Sequence, residues 1–250
     1  MLKFTNTFFQ RTNYIYSHHL YGLNHEAIIH NYKSMPLFQT IQFNETTKIL
    51  IWETTESFEE LTAKVVLKEK TQQRLNGMKS QMHQRAFLSV RMLIQEMGFT
   101  DHDLHYDEFG KPYFDCHNYI SITHSYHFAA IIISHETVGI DMELQREKII
   151  RIADKFTDFE CDYLKPDSIE EYVKKLTVIW GAKEAIFKIR NEKGISFKDH
   201  IKVEDFSLNK NQTEASLHFD DLIKDFDVHY KEIKSDNFEG KFTLVYAFEK

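Results

Sequence analysis

The stretch Trp180-Gly181-Ala182-Lys183-Glu184-Ala185-Ile186-Phe187-Lys188 restricts what this chain can become. Read as helix, it puts Glu184 and Lys188 one turn apart on a single face. The stretch is otherwise mostly apolar, so that face lies against a core or a cleft. A carboxylate in such a place can hold a metal ion or take a proton, and the lysine can meet a phosphate. Lys183 falls off the Glu184 face, where a structural role and a substrate contact fit equally.

A second stretch, Val138-Gly139-Ile140-Asp141-Met142-Glu143, reads as a strand. Its period of two places Asp141 and Glu143 on one face. With Glu184 they can make an oxygen site of the kind Mg²⁺ uses, since that ion keeps waters and binds substrate phosphates. Like charges a few ångströms apart repel by about 4 kcal/mol per pair at an effective dielectric of ~20. A chain gathers them only when a cation or a proton offsets that cost. The same three residues also read as separate surface carboxylates, and the pattern alone leaves both readings open.

The remaining chain supplies the frame. Residues 1–34 are rich in Asn, His and Tyr and show no sustained helical or strand period. They read either as a disordered or spurious upstream stretch ahead of a start at Met35, or as a genuine extension. Thr47–Trp52 reads as a buried strand. Ser57 with Glu60 forms a capping box for a helix. A helical region follows over about 69–97, interrupted at Gly77, with Ala86, Val90, Leu93 and Met97 as a core stripe and Gly98 closing it. Arg85 and Arg91 lie off the stripe, after Lys70, Arg74 and Lys79. These cations are either a solvated surface or a basic rim for phosphates. Gly110-Lys111-Pro112 marks a turn. Strands are expected at Tyr119–Ser125, Phe128–Ser134 and Val138–Glu143, then a helix carrying Ile149, Ile152 and Phe156, and one or two helices over 170–188. Strands follow at 201–206, 215–219, 228–233 and 241–248. This order gives an α+β fold, divided as 35–137 and 138–250.

Bulk properties narrow the function. The 250 residues carry a net charge of −7, which argues against a general nucleic-acid binder. The two cysteines, Cys116 and Cys161, match no metal spacing, so free thiols in a reducing cytosol are expected. No run reaches the ~20 apolar residues of a membrane span. No P-loop, Rossmann fingerprint or nucleophile elbow is present. His124, in Ile122-Thr123-His124-Ser125, reads from its surroundings as a core histidine or as a ligand contact.

Taken together and in order, Gly110-Lys111-Pro112, Ile122-Thr123-His124-Ser125, Val138–Glu143 and Trp180–Lys188 resemble the motifs of the 4′-phosphopantetheinyl transferase superfamily. The likeness is to the larger type, with two pseudo-symmetric α+β halves in one chain and the active site between them, and it covers about 35–250. The resemblance implies transfer of the phosphopantetheine arm of coenzyme A to a serine of an apo acyl or peptidyl carrier protein, with release of 3′,5′-ADP. It implies Asp141, Glu143 and Glu184 as ligands of Mg²⁺ (or Mn²⁺), with Glu184 as general base and Lys188 at the transferring phosphate. It further implies Thr123 and His124 at the diphosphate, Lys111 and Pro112 at the nucleotide end, and Arg85 at the 3′-phosphate, with Lys70, Arg74 or Lys79 in support. A monomer follows, because one chain supplies both halves. Two positions depart from the family pattern: Gly181, where Ser, Thr or Ala is usual, and Tyr126, where some members have Gly. Gly181 is expected in the first turn of its helix. The competing functions are a non-catalytic coenzyme A-binding module and a metal-dependent phosphohydrolase.

Overall fold

The computed structural model describes residues 37–116, 118–165 and 167–250. The expectations for 1–34 and for a start at Met35 lie outside the described residues.

A hairpin of β1 (Leu37–Gln42) and β2 (Lys48–Glu53) opens the described chain. Helix α1 (Phe58–Thr62) starts at Ser57, whose side chain accepts from the Glu60 amide while Glu60 reaches back to the Ser57 amide, the expected capping box. The helical region beyond it is two helices, α2 (Glu69–Asn76) and α3 (Gln81–Glu96), with Gly77 as the cap between them. Gly98 follows α3 at φ +82°, a conformation glycine adopts without strain. Next come β3 (His105–Tyr106), β4 (Pro112–Tyr113), β5 (Tyr119–Ser125), β6 (Phe128–Ser134) and β7 (Val138–Leu144). The segment carrying Ile149 and Ile152, expected to be helical, is 3₁₀ helix over Glu147–Lys155, and a second 3₁₀ turn spans Phe159–Asp162. A single 22-residue helix, α4 (Ile169–Arg190), holds the Trp180–Lys188 stretch. Short α5 (Phe197–His200) leads to β8 (Ile201–Val203), then β9 (Gln212–Phe219), β10 (Leu222–Lys234) and β11 (Lys241–Glu249).

The fold is α+β, with two main sheets. One runs β1-β2-β6-β5 and the other β7-β11-β10-β9-β8, all antiparallel. The turn between β6 and β7 separates them. Three apolar cores explain the layering. Leu50 and Trp52 of β2 and Ile131 and Ile133 of β6 face α3. Ile49 and Ile51, on the opposite face of β2, join Ile132 of β6, Ile140 of β7 and Leu244 of β11 between the sheets. Val245 and Ala247, on the other face of β11, pack on α4. The layers are therefore helix, sheet, sheet, helix. Strands β2, β6 and β11 are covered on both faces, which is why they read as continuous apolar runs.

Side chains fasten the sheets to each other. Phe43, in the β1–β2 turn, stacks on Phe248 at 4.7 Å and meets the edge of His229 at 4.9 Å. Glu53, at the end of β2, accepts from Ser235 and from Asn237 Nδ2 in the β10–β11 loop. Strand β5 lies beside β7 without sharing its ladder. The Ser121 hydroxyl accepts from the Ile140 amide at 3.1 Å, and the Thr123 hydroxyl accepts from the Met142 amide at 3.2 Å. Two hydroxyls spaced i, i+2 on β5 thus match two amides spaced i, i+2 on β7.

Candidate active site

Strand β7 presents Asp141 and Glu143 toward α4, and α4 presents Glu184 and Lys188 toward β7. Two glycines let the helix come this close. A Cβ at Gly139 would stand 2.0 Å from the Ala185 carbonyl oxygen. A Cβ at Gly181 would stand 2.6 Å from Val245 Cγ2 and 3.7 Å from Asp141 Oδ2. Gly181 therefore lies mid-helix, and the expected first-turn position is corrected. A glycine there costs about 1 kcal/mol against alanine, offset by the close packing on β11 and by open space beside Asp141. Gly139→Ala is expected to lower stability by about 1–3 kcal/mol, because the obstacle is helix backbone with no room to turn aside. Thermal unfolding checks this, and an unchanged midpoint would refute it.

Asp141 is buried. Its Oδ1 receives Lys188 Nζ at 2.8 Å and the Thr123 hydroxyl at 3.2 Å. Lys188 Nζ also donates to the Ile140 carbonyl at 2.9 Å. Asp141 Oδ2 is buried and has no hydrogen-bond partner. Burial, followed by the charges of Asp141 and Glu184, pushes the Glu143 carboxyl up to about 7. Burial and then Asp141 push Glu184 up as well, while Lys188 pulls it down. The carboxylates are thus close enough to resist being charged together.

Among the described residues no group of three or more His, Cys, Asp or Glu comes together as a ready-made metal cage. The donor chemistry nevertheless fits a hard cation. One buried carboxylate oxygen lacks a partner, no side chain at position 181 covers it, and two neighbouring carboxyls are held above their usual range, first by burial and then by the charge of Asp141.

Glu184 and Lys188 form one wall of a cleft of about 330 Å³. The opposite walls are Arg74, Phe87 and Arg91 from α2 and α3, Phe109–Pro112 from the β3–β4 turn, and Ser121, Ile122 and His124 from β5. Gly110 sits at φ +86° in that turn. Lys111 donates to the Ile189 carbonyl, and burial lowers its affinity for the proton. His124 is exposed in area at the mouth. Crowding by the surrounding protein, then His83 and Lys188, hold its imidazole below the usual range. Asn191 closes α4 in the left-handed conformation and also lines the cleft.

The structure brings Glu184, Lys188, Lys111, Pro112 and His124 to this cleft. It puts Glu143 beside a neighbouring groove of about 220 Å³ with Arg146, Ile149, Ile152 and Trp180. Thr123 points into the β5–β7 junction. Arg85 lies elsewhere: its guanidinium donates to the carbonyls of Glu56 at 2.7 Å and Thr54 at 2.8 Å, and it does not line the cleft. Arg74 is the helical arginine there, over the rings of Phe87 at 5.5 Å and Tyr106 at 5.6 Å. Arg91 is neither a solvated surface cation nor free. It is buried, paired with Asp101 at 3.1 Å and stacked 3.6 Å over Phe87. Lys183 is a structural group, buried with its ammonium on Glu160 and on the carbonyls of Phe156 and Phe197. Tyr126 occupies φ +52°, which explains why glycine suits that position. Its ring packs under Arg146 and its hydroxyl accepts from that guanidinium.

Sequence reasoning passed over Gly139, Gly181 and Ser121 as site builders. The first two carried a signal, because glycine inside a strand or helix marks a close backbone approach. Ser121 carried none.

Residues 137–246 match the family model of the 4′-phosphopantetheinyl transferase superfamily. The chain is 29% identical over 131 residues to the 4′-phosphopantetheinyl transferase gsp of Aneurinibacillus migulanus, a match covering 51% of this chain and 53% of that protein. It is 33% identical over 112 residues to a formate–tetrahydrofolate ligase of Caldicellulosiruptor bescii, covering 43% of this chain and 20% of that protein. The chain thus spans about half the length of the first relative and a fifth of the second.

Proposed function

We propose that this chain, which carries a 4′-phosphopantetheinyl transferase superfamily domain over residues 137–246, moves the 4′-phosphopantetheine arm of coenzyme A onto a serine of an apo carrier protein. The observation that carries this reading is the junction of α4 with β7. There Lys188 is bonded to Asp141, Asp141 keeps a buried oxygen without a partner, and Glu184 and Lys188 open onto a cleft lined by Lys111, His124 and Arg74.

In this reading Asp141, Glu143 and Glu184 hold Mg²⁺, which supplies charge neutralisation and Lewis acidity at the diphosphate when bound. Mn²⁺ fits the same oxygen donors. Lys188 meets the transferring phosphoryl group. Lys111 and Pro112 border the nucleotide, and His124 lies at the diphosphate. Arg74 replaces Arg85 as the cation for the 3′-phosphate, because Arg85 is held by backbone carbonyls. Glu184 takes the proton of the incoming serine as its oxygen bonds to phosphorus. The bond from phosphorus to the leaving oxygen breaks, and 3′,5′-ADP departs. Positioning and charge stabilisation supply most of the rate in such transfers. Segments 35–137 and 138–250 act as the two halves of the enzyme, in a cytosolic monomer. No helix among the described residues is long and apolar enough to cross a membrane.

The test is incubation of the protein with coenzyme A, Mg²⁺ and several apo carrier proteins, followed by intact-mass measurement of the carrier. A gain of one phosphopantetheine is expected. No gain on any carrier would reject the transferase reading, and nucleotide release without a carrier would favour hydrolysis.

A further inference from the structure

Thr123 faces the junction of β5 with β7. It is buried in the seam between β5 and β7, and it is absent from the cleft wall that Ser121, Ile122 and His124 share. Its hydroxyl makes two hydrogen bonds within that seam. The oxygen accepts from the Met142 amide at 3.2 Å, so the proton is left for one acceptor, Asp141 Oδ1, also at 3.2 Å. Lys188 donates to the same Oδ1 at 2.8 Å. Both donors therefore converge on one oxygen of the carboxylate, and the other, Oδ2, has none. Oδ2 is turned toward Gly181 of α4, one turn ahead of Glu184.

We infer that Thr123 is a positioning residue that fixes the rotation of the Asp141 carboxylate, so that Oδ2 is kept as the oxygen offered to a divalent cation. The inference rests on the reading of Asp141 as a cation ligand in the proposed function. Lys188 sets that rotation only loosely: its ammonium is also held on the Ile140 carbonyl at 2.9 Å, but it stands at the end of a long flexible stem. Thr123 is a short β-branched side chain on a strand, stiff about χ1 and anchored by a backbone amide, so it holds Oδ1 to one place. Groups that orient a ligating carboxylate in this way are worth about 10–100-fold in metal affinity.

Ser121 provides an internal control. Its hydroxyl makes the equivalent seam bond to the Ile140 amide and has no bond to Asp141. Binding of Mn²⁺ alone to the full chain, read by electron paramagnetic resonance, is compared for the wild type, Thr123→Val, Thr123→Ser and Ser121→Ala. Thr123→Val is expected to weaken Mn²⁺ binding about tenfold or more, while Thr123→Ser stays near wild type. Ser121→Ala, although it loosens the same seam, is expected to keep most of the affinity. Coenzyme A binding without metal is expected to be the same for Thr123→Val and wild type. The inference is overturned if Thr123→Val binds Mn²⁺ like wild type, if Ser121→Ala weakens it equally, if metal-free coenzyme A binding falls with Thr123→Val, or if wild type binds no Mn²⁺. None of these readings uses carrier transfer, so failure of the wild type to modify any carrier would sink the proposed function and leave this comparison to decide Thr123.

Discussion

Glu184→Gln is expected to lower phosphopantetheine transfer by about 10²–10⁴-fold, the range that a positioned acid or base contributes. The substitution keeps the shape of the side chain and removes only its charge and basicity. Glu184 is half-buried on the cleft wall, and burial followed by the Asp141 charge raises its carboxyl above the usual range. A raised carboxylate is a better proton acceptor near neutrality than an ordinary one. The same crowding means that removing the charge relieves repulsion, so the thermal midpoint should not fall. Turnover is measured by carrier mass under saturating coenzyme A, and thermal unfolding is run in parallel. Near-normal turnover would refute the assigned role, and lost turnover with a collapsed midpoint would refute the claim that the fold tolerates the change.

The largest stability loss is expected at the neighbouring residue. Lys183 has no solvent exposure, and its ammonium donates to Glu160 Oε1 at 2.7 Å, the Phe156 carbonyl at 2.7 Å and the Phe197 carbonyl at 2.9 Å. All three of its donors are used. Burial pulls the ammonium below its usual range, and Glu160 opposes that. Glu160 is equally buried and also accepts from the amides of Val203 and Asp158. Lys183→Met would leave a buried carboxylate without its cation and two carbonyls without a donor. The expected cost is about 3–5 kcal/mol. Adding Glu160→Gln should recover part of it, because the uncompensated charge is then gone. Urea unfolding of the wild type, single and double variants measures both effects. A single-variant loss under about 1 kcal/mol would contradict the account.

The contrast between these adjacent residues shows what the sequence could express. Glu184 and Lys188 were legible because helical spacing alone puts them on one face. Ser57 with Glu60, Gly77 and Gly98 were legible for a similar reason, since caps and breaks are settled within one turn of chain. The strands of the two sheets other than Leu37–Gln42 were legible, although Leu222–Lys234 runs longer than its pattern and Ile201–Val203 shorter. The 3₁₀ geometry of Glu147–Lys155 was hidden, because its apolar spacing also suits an α-helix. The partners of Arg85, Arg91 and Lys183 were hidden too. Arg85 depends on carbonyls 29 and 31 residues away, and Lys183 on a carboxylate in a separate 3₁₀ turn. A cation looks the same in sequence whether it meets a phosphate, water or a buried acid. Thr123 was assigned to the diphosphate by likeness to a motif, and its orientation depended on how closely β5 approaches β7. That approach is set by tertiary packing, which no local pattern encodes.

The pairing of β7 has a consequence for how the molecule comes to be. β7 pairs with β11 from Leu144↔Phe242 to Val138↔Phe248, partners separated by roughly a hundred residues. Closing so long a loop is slow compared with forming local helices and hairpins. The hairpin β5–β6 and helix α4 can form early, but β7 lacks its ladder until β11 has been synthesised. During translation the strand carrying Asp141 and Glu143 is therefore an unpaired apolar edge, the kind that recruits wrong partners. Catalytic competence and escape from misassembly would arrive together, with one late docking event.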